Sequence, residues 1–163
     1  MAPPSSVTPG RKSLTLEPVS VLGAGAGGLE ELREHVDDKM VSFALLRFQV
    51  GGGTFVRTKL VAIHCNGGAA PVMLRGWLNA RRDEVFSVSG EVHANIEVQH
   101  AEELTIEYLC ERLLPLFAAD SGDYSLQALR HEYAKSVAQE ASRRRLQDPV
   151  CRQLLQAEEE EEE

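Results

Sequence analysis

Apolar and polar residues change their period several times along this chain, and each change predicts an element. Residues 13–17 and 19–22 alternate on either side of Pro18, which reads as two short strands joined by a tight turn. Leu29, Leu32 and Val36 then recur at i, i+3 and i+7, with Glu30 and Glu31 in the first turn. That spacing predicts an amphipathic helix over 29–36, closed by Asp37 and Asp38. Residues 40–50 are apolar nearly throughout and rich in β-formers, as in a strand covered on both faces. Gly51, Gly52 and Gly53 turn the chain, and 54–65 is a second long strand, so the pair forms a hairpin.

Pro71 suits the first position of a helix, and 71–88 reads as one long helix that buries Trp77, Val85 and Val88 before Gly90 stops it. Residues 94–98 form a short strand, and 101–117 a helix on which Ile106, Leu109, Leu113 and Leu116 line up. Pro115 is expected to kink or shorten that helix. Ser125 has the character of an N-cap and opens a last helix with Leu126, Leu129, Tyr133 and Val137 on one stripe. The organisation that follows is an unstructured arm over 1–12, rich in proline, a domain over 13–120, a helical extension over 121–157 and an acidic tail over 158–163. The predicted fold class is α+β, a mixed central β-sheet flanked by helices, with an added C-terminal helix.

Composition narrows the function. The chain has 163 residues, 43% apolar and 26% charged, which suits one globular domain and excludes two large ones. Of the net charge of -8, the run 158–163 supplies -6, leaving -8 + 6 = -2 on the body. A near-neutral body does not fit a basic nucleic-acid binder. No apolar run approaches the roughly 20 residues that cross a bilayer, and the polar, proline-rich start does not fit a signal peptide. Neither nucleic acid nor membrane is therefore expected as a partner. Cys65, Cys110 and Cys151 are odd in number and lack CxxC spacing, so the reading is a reducing, cytoplasmic compartment.

Three groups of residues invite a chemical reading. Gly23, Gly25 and Gly28 make a literal GxGxxG ahead of a helix, where a pyrophosphate would meet a helix N-terminus. The next strand ends in three glycines with no acid for a ribose and leads into a hairpin, which breaks the βαβ unit such a site needs. A flexible loop is the plainer reading, and a dinucleotide-dependent oxidoreductase is the rival. His64 and Cys65 are adjacent on a strand, so they point to opposite faces, and neither a metal site nor a Cys/His nucleophile is expected. Arg57 and Lys59 project to one side of a strand, and Arg75, Arg81 and Arg82 follow on a helix. Together the five would form one basic surface in a near-neutral body, and the plainer reading is a set of solvated charges at strand and helix ends.

The order of elements, together with several stretches in register, resembles the actin-depolymerising factor homology (ADF/cofilin) family, and within it the coactosin branch. The stretches are Val36-Asp37-Asp38 followed by Phe43-Ala44-Leu45-Leu46-Arg47-Phe48, then Arg57-Thr58-Lys59-Leu60-Val61-Ala62-Ile63, then Ala70-Pro71-Val72 on to Arg82-Asp83. The resemblance covers about residues 13–120. It implies binding of actin filaments without catalysis and without a cofactor. It places Lys59 where coactosin has a filament-contacting lysine, and Arg75 on the actin-binding helix. Family members begin with a helix that leads, in cofilin, into a monomer-binding segment; here only the arm precedes Ser13. The resemblance therefore implies side binding along filaments, in the cytoskeleton, without severing or monomer sequestration. A scaffold of the same fold with a different partner is a third reading. The C-terminal stripe is expected to cover the strip that a missing first helix would expose, in its own chain or by self-association.

Overall fold

The computed structural model describes residues 20–121 and 125–149. The arm, the strand expected over 13–17, Cys151 and the acidic tail lie outside the described residues. In chain order the elements are α1 (Gly28–Arg33), β1 (Val41–Gly52), β2 (Phe55–Asn66), α2 (Val72–Asn79), α3 (Arg82–Ser87), β3 (Ala94–Val98), a 3₁₀ turn (Ala101–Glu103), α4 (Ile106–Ser121) and α5 (Leu126–Gln147). The strands form one mixed sheet in the order β1-β2-β3, with β1 antiparallel to β2 and β2 parallel to β3. The expected α+β class, sheet and added helix are all present. Ser20, Val21 and Leu22, the described part of the second expected strand, are irregular instead.

The hairpin turns at Gly53 and Thr54, with Gly52 paired to Phe55. Gly51 and Gly53 both have positive φ, and a Cβ on Gly51 would lie 2.1 Å from the Phe55 carbonyl oxygen, so glycine is required there. Register pairs share a face, which sorts the sheet into two sides. One side carries Leu46, Phe48, Val50, Val61, Ile63, Cys65, Ile96 and Val98, all buried. Over it pack Leu29 of α1, Leu109, Leu113 and Phe117 of α4, and Leu129 and Tyr133 of α5. Phe48 stacks on Tyr133 at 4.3 Å and meets Phe117 at 5.7 Å. The other side carries Phe43, Ala62, His64 and Asn66 beneath α2 and α3, where Phe86 meets Phe43 edge-on at 5.5 Å.

Three helix expectations need correction. The long helix over 71–88 is two helices with a break at Ala80 and Arg81. Gly76 and Asn79 weaken the end of the first, and Asp83 and Glu84 favour the N-terminus of a second through the helix dipole. Its supposed buried side is largely open, since Trp77 is 42% and Val88 87% exposed. The helix expected from 101 starts at Ile106, because the Thr105 hydroxyl accepts the Tyr108 N–H at 3.2 Å and acts as a cap. Pro115 neither ends nor shortens it, and α4 runs on to Ser121.

The Ser125 cap is as expected: its hydroxyl accepts the Ala128 N–H at 3.1 Å. The α5 stripe is buried within its own chain at Leu129 and Tyr133, on the side of the sheet that α4 also covers. Tyr133 does more than pack. Its hydroxyl accepts the Leu29 N–H at 3.0 Å and so caps α1 from 104 residues away.

Candidate functional site

The glycine loop is built for that cap. Gly28 has φ +68, and a Cβ there would lie 2.6 Å from the Tyr133 hydroxyl. The loop's mouth is taken by an acid, since the Gly27 N–H donates to Glu31 at 2.6 Å and the Glu31 carboxylate lies against Gly25. A carboxylate in that place repels a pyrophosphate instead of receiving one. The helix that follows has six residues and the next strand is antiparallel to its neighbour, so the geometry for dinucleotide binding is not formed. A cavity of about 660 Å³ runs past this loop and along the outer edge of β1, lined by Leu22, Val41, Phe43, Leu45, Val85 and Val137 among others.

His64 and Cys65 do point to opposite faces, as the strand alternation requires. Burial pushes both the Cys65 and Cys110 thiols up, the latter to about 11, so neither is a thiolate at neutral pH. His64 is 2% exposed, stacks on Phe43 at 4.8 Å, and has no hydrogen-bond partner among the described residues at either ring nitrogen. Glu97 of β3 lies 3.7 Å from its Nδ1. Burial holds its pKa below the ordinary imidazole value. A group that sequence reading passed over joins Asp38 to His100 at 2.8 Å, with Glu102 nearby. The shared proton pulls the Asp38 carboxyl down and the His100 ring up, and the Ala101 N–H reaches the same carboxylate at 3.4 Å. This latch ties the loop before β1 to the turn after β3.

The five basic residues do not share a surface. Arg57 and Lys59 pair with Val50 and Phe48, so they stand on the α4 side, where the apolar face ends; their cationic groups lie 5.7 and 5.9 Å from the Phe117 ring centre. Arg75 belongs to α2 on the opposite side, and its Nε donates to Asn66 at the far end of β2 at 3.2 Å. From Lys59 to Asn66 is seven residues of strand, or about 23 Å. Arg81 stacks on Trp77 at 4.5 Å, and Arg82 pairs with Asp83 at 3.5 Å. The chain thus carries two basic patches, one at each end and on each side of the sheet. Beside Arg75, α2 also exposes Val72 and Met73, at 81% and 87%. The amphipathic reading of one long helix hid these two, because they precede its supposed buried stripe.

A family model for cofilin/tropomyosin-type actin-binding proteins matches residues 9–114, well over half of the chain. The chain belongs to the cofilin/tropomyosin-type actin-binding protein family. Both basic patches fall within the matched range, whereas α5 lies wholly outside it. The family is one of actin-binding proteins, and the described part of this chain presents half-buried basic side chains beside exposed apolar ones. Solved structures of human coactosin-like protein are similar to this chain. A crystal structure is 18% identical over 53% of this chain, with a TM-score of 0.48. It is matched over 66% of its own length, just under two thirds. An NMR structure is 19% identical over 59% of this chain and 64% of that one, with a TM-score of 0.47. No curated protein matches the chain. Among the described residues no helix is long and apolar enough to cross a membrane.

Proposed function

We propose that this chain binds along the sides of actin filaments in the manner of the coactosin branch, without severing them. Membership of the actin-binding family supports actin itself. The observation that carries the filament reading is the separation of the two patches, Arg57 with Lys59 and Arg75 with Arg81, by about 23 Å of β2. Two patches that far apart, facing different ways, suit a partner made of repeated subunits better than a single compact one. Each supplies cations to acidic groups on actin, and Val72 and Met73 add apolar contact area at the second.

The test is co-sedimentation with filaments at two salt concentrations. The chain pellets with filaments, and less so at the higher salt, since the contacts are ionic. Arg57→Ala with Lys59→Ala weakens pelleting by the equivalent of about 1 to 3 kcal/mol. Parental pelleting by that double variant, in a protein that melts normally, removes the first patch from the binding surface.

A further inference from the structure

Arg75 is held differently from Arg81 and Arg82. Its partner, Asn66, is the last residue of β2 and is 3% exposed, so the amide must find its bonds inside the protein. The Asn66 Nδ2 donates to Glu97 Oε1 of β3 at 3.0 Å, and its Oδ1 accepts from Arg75 Nε at 3.2 Å. An arginine only donates and an ionised carboxylate only accepts, so the amide has a single orientation that serves both. Asn66 is also paired with Val41, which fixes its backbone in the sheet. The terminal nitrogens of Arg75 take no hydrogen bond among the described residues.

We propose that Asn66 is a positioning residue for binding: braced by Glu97, it holds the Arg75 guanidinium by Nε and presents its terminal nitrogens outward to the partner. This rests on the reading of α2 as an actin-contact face. An arginine side chain that is ordered before binding does not lose that freedom on binding, so pre-ordering raises affinity without adding a contact. Without the Asn66 amide, Arg75 and Glu97 face each other with opposite charges, and the arginine turns inward toward the carboxylate. Asn66 therefore both orients the arginine and stands between it and the Glu97 carboxylate.

A double-mutant cycle by filament co-sedimentation tests this, using the full chain, Asn66→Ala, Arg75→Ala and the two combined. Each single variant is expected to bind about 3- to 10-fold more weakly, the effect of one hydrogen bond, and the combination no more weakly than Arg75→Ala alone. A role in stability only would lower the melting temperature and leave the binding losses multiplicative. Losses that multiply, or parental binding by Asn66→Ala beside weakened binding by Arg75→Ala, overturn the positioning role and leave the α2 face standing. Parental binding by Arg75→Ala overturns the α2 reading itself. Should Asn66→Ala melt early, Glu97→Ala at an exposed position of β3 replaces it: a smaller loss, absent on the Arg75→Ala background, is expected, and a loss that persists there overturns the proposal.

Discussion

Single side chains bear unusual weight at two places. The Tyr133 hydroxyl is the acceptor for a buried N–H at the start of α1, so Tyr133→Phe leaves Leu29 without a partner and should cost about 1 to 3 kcal/mol. Gly28→Ala adds a strained φ to a Cβ contact with the same hydroxyl, and should cost at least about 1 kcal/mol. Urea unfolding of both variants checks this; an unchanged midpoint for Gly28→Ala means the loop relaxes freely. His64 governs a pH response. Unfolded, it titrates near 6.5; folded, burial holds it lower, with Glu97 favouring the charged ring and Arg82 opposing it. The unfolded chain therefore takes up the proton first. The stability due to neutral burial is complete above about pH 6.5 and is lost progressively as pH falls below it. The Asp38 and His100 pair works in another window, since His100 is raised: its contribution is present below the ordinary imidazole value and is lost as pH rises through the raised one. Unfolding midpoints of parent and His64→Leu between pH 7 and pH 5 should diverge, with the steeper fall in the parent; parallel curves refute the assignment.

At the scale of elements, α5 is the addition to the family range that the fold depends on. It buries Leu129 and Tyr133 on Phe48 and ties the hairpin through Glu132, whose carboxylate accepts the Gly51 N–H at 3.2 Å. Glu140 near its far end meets Arg47 of β1 at 3.3 Å. Leu129→Ala should cost about 2 to 5 kcal/mol by leaving a cavity against the sheet. Ending the chain after Gly122 should lower the melting temperature and solubility together, because the part of the Phe48 side that α5 covers is then open to solvent, with α1 and α4 still over the rest. A truncated protein that melts and dissolves as the full chain does shows that α5 does not cover the sheet in solution. The stripe on α5 was visible in sequence as an i, i+3, i+7 pattern. Its place beside α4 was not, since the pattern is the same whether the helix packs on its own chain or on another.

For the whole molecule, the separation of the two basic patches is the feature on which the proposed filament binding turns. A protein touching neighbouring subunits in a filament stabilises their contact, so filaments watched by microscopy at saturating concentrations should keep their length distribution. Faster fragmentation than in bare filaments contradicts the non-severing reading. Removing either patch should weaken binding, and removing both should reduce it to background, since neither covers the full contact. If loss of one patch alone abolishes binding while loss of the other has no effect, the two-site arrangement fails.

The hairpin, the α+β class and the N-cap at Ser125 could be read from residues alone, because each rests on local chemistry: runs of β-formers over 40–50 and 54–65, three consecutive glycines, and a hydroxyl one position before an apolar stripe. The basic residues were identified as candidates by charge. Sequence spacing placed them together, and only the sheet parted them, since strand parity decides the side and strand length the distance. The glycine motif shows the same limit. Its spacing is that of a phosphate loop, yet its use depends on Tyr133 approaching from 104 residues away and on Glu31 folding back into its mouth. The Asn66 bridge has no sequence signal at all: Asn66, Arg75 and Glu97 come from three elements, and a hydrogen-bonded group of that kind exists only once the sheet has brought them within about 3 Å.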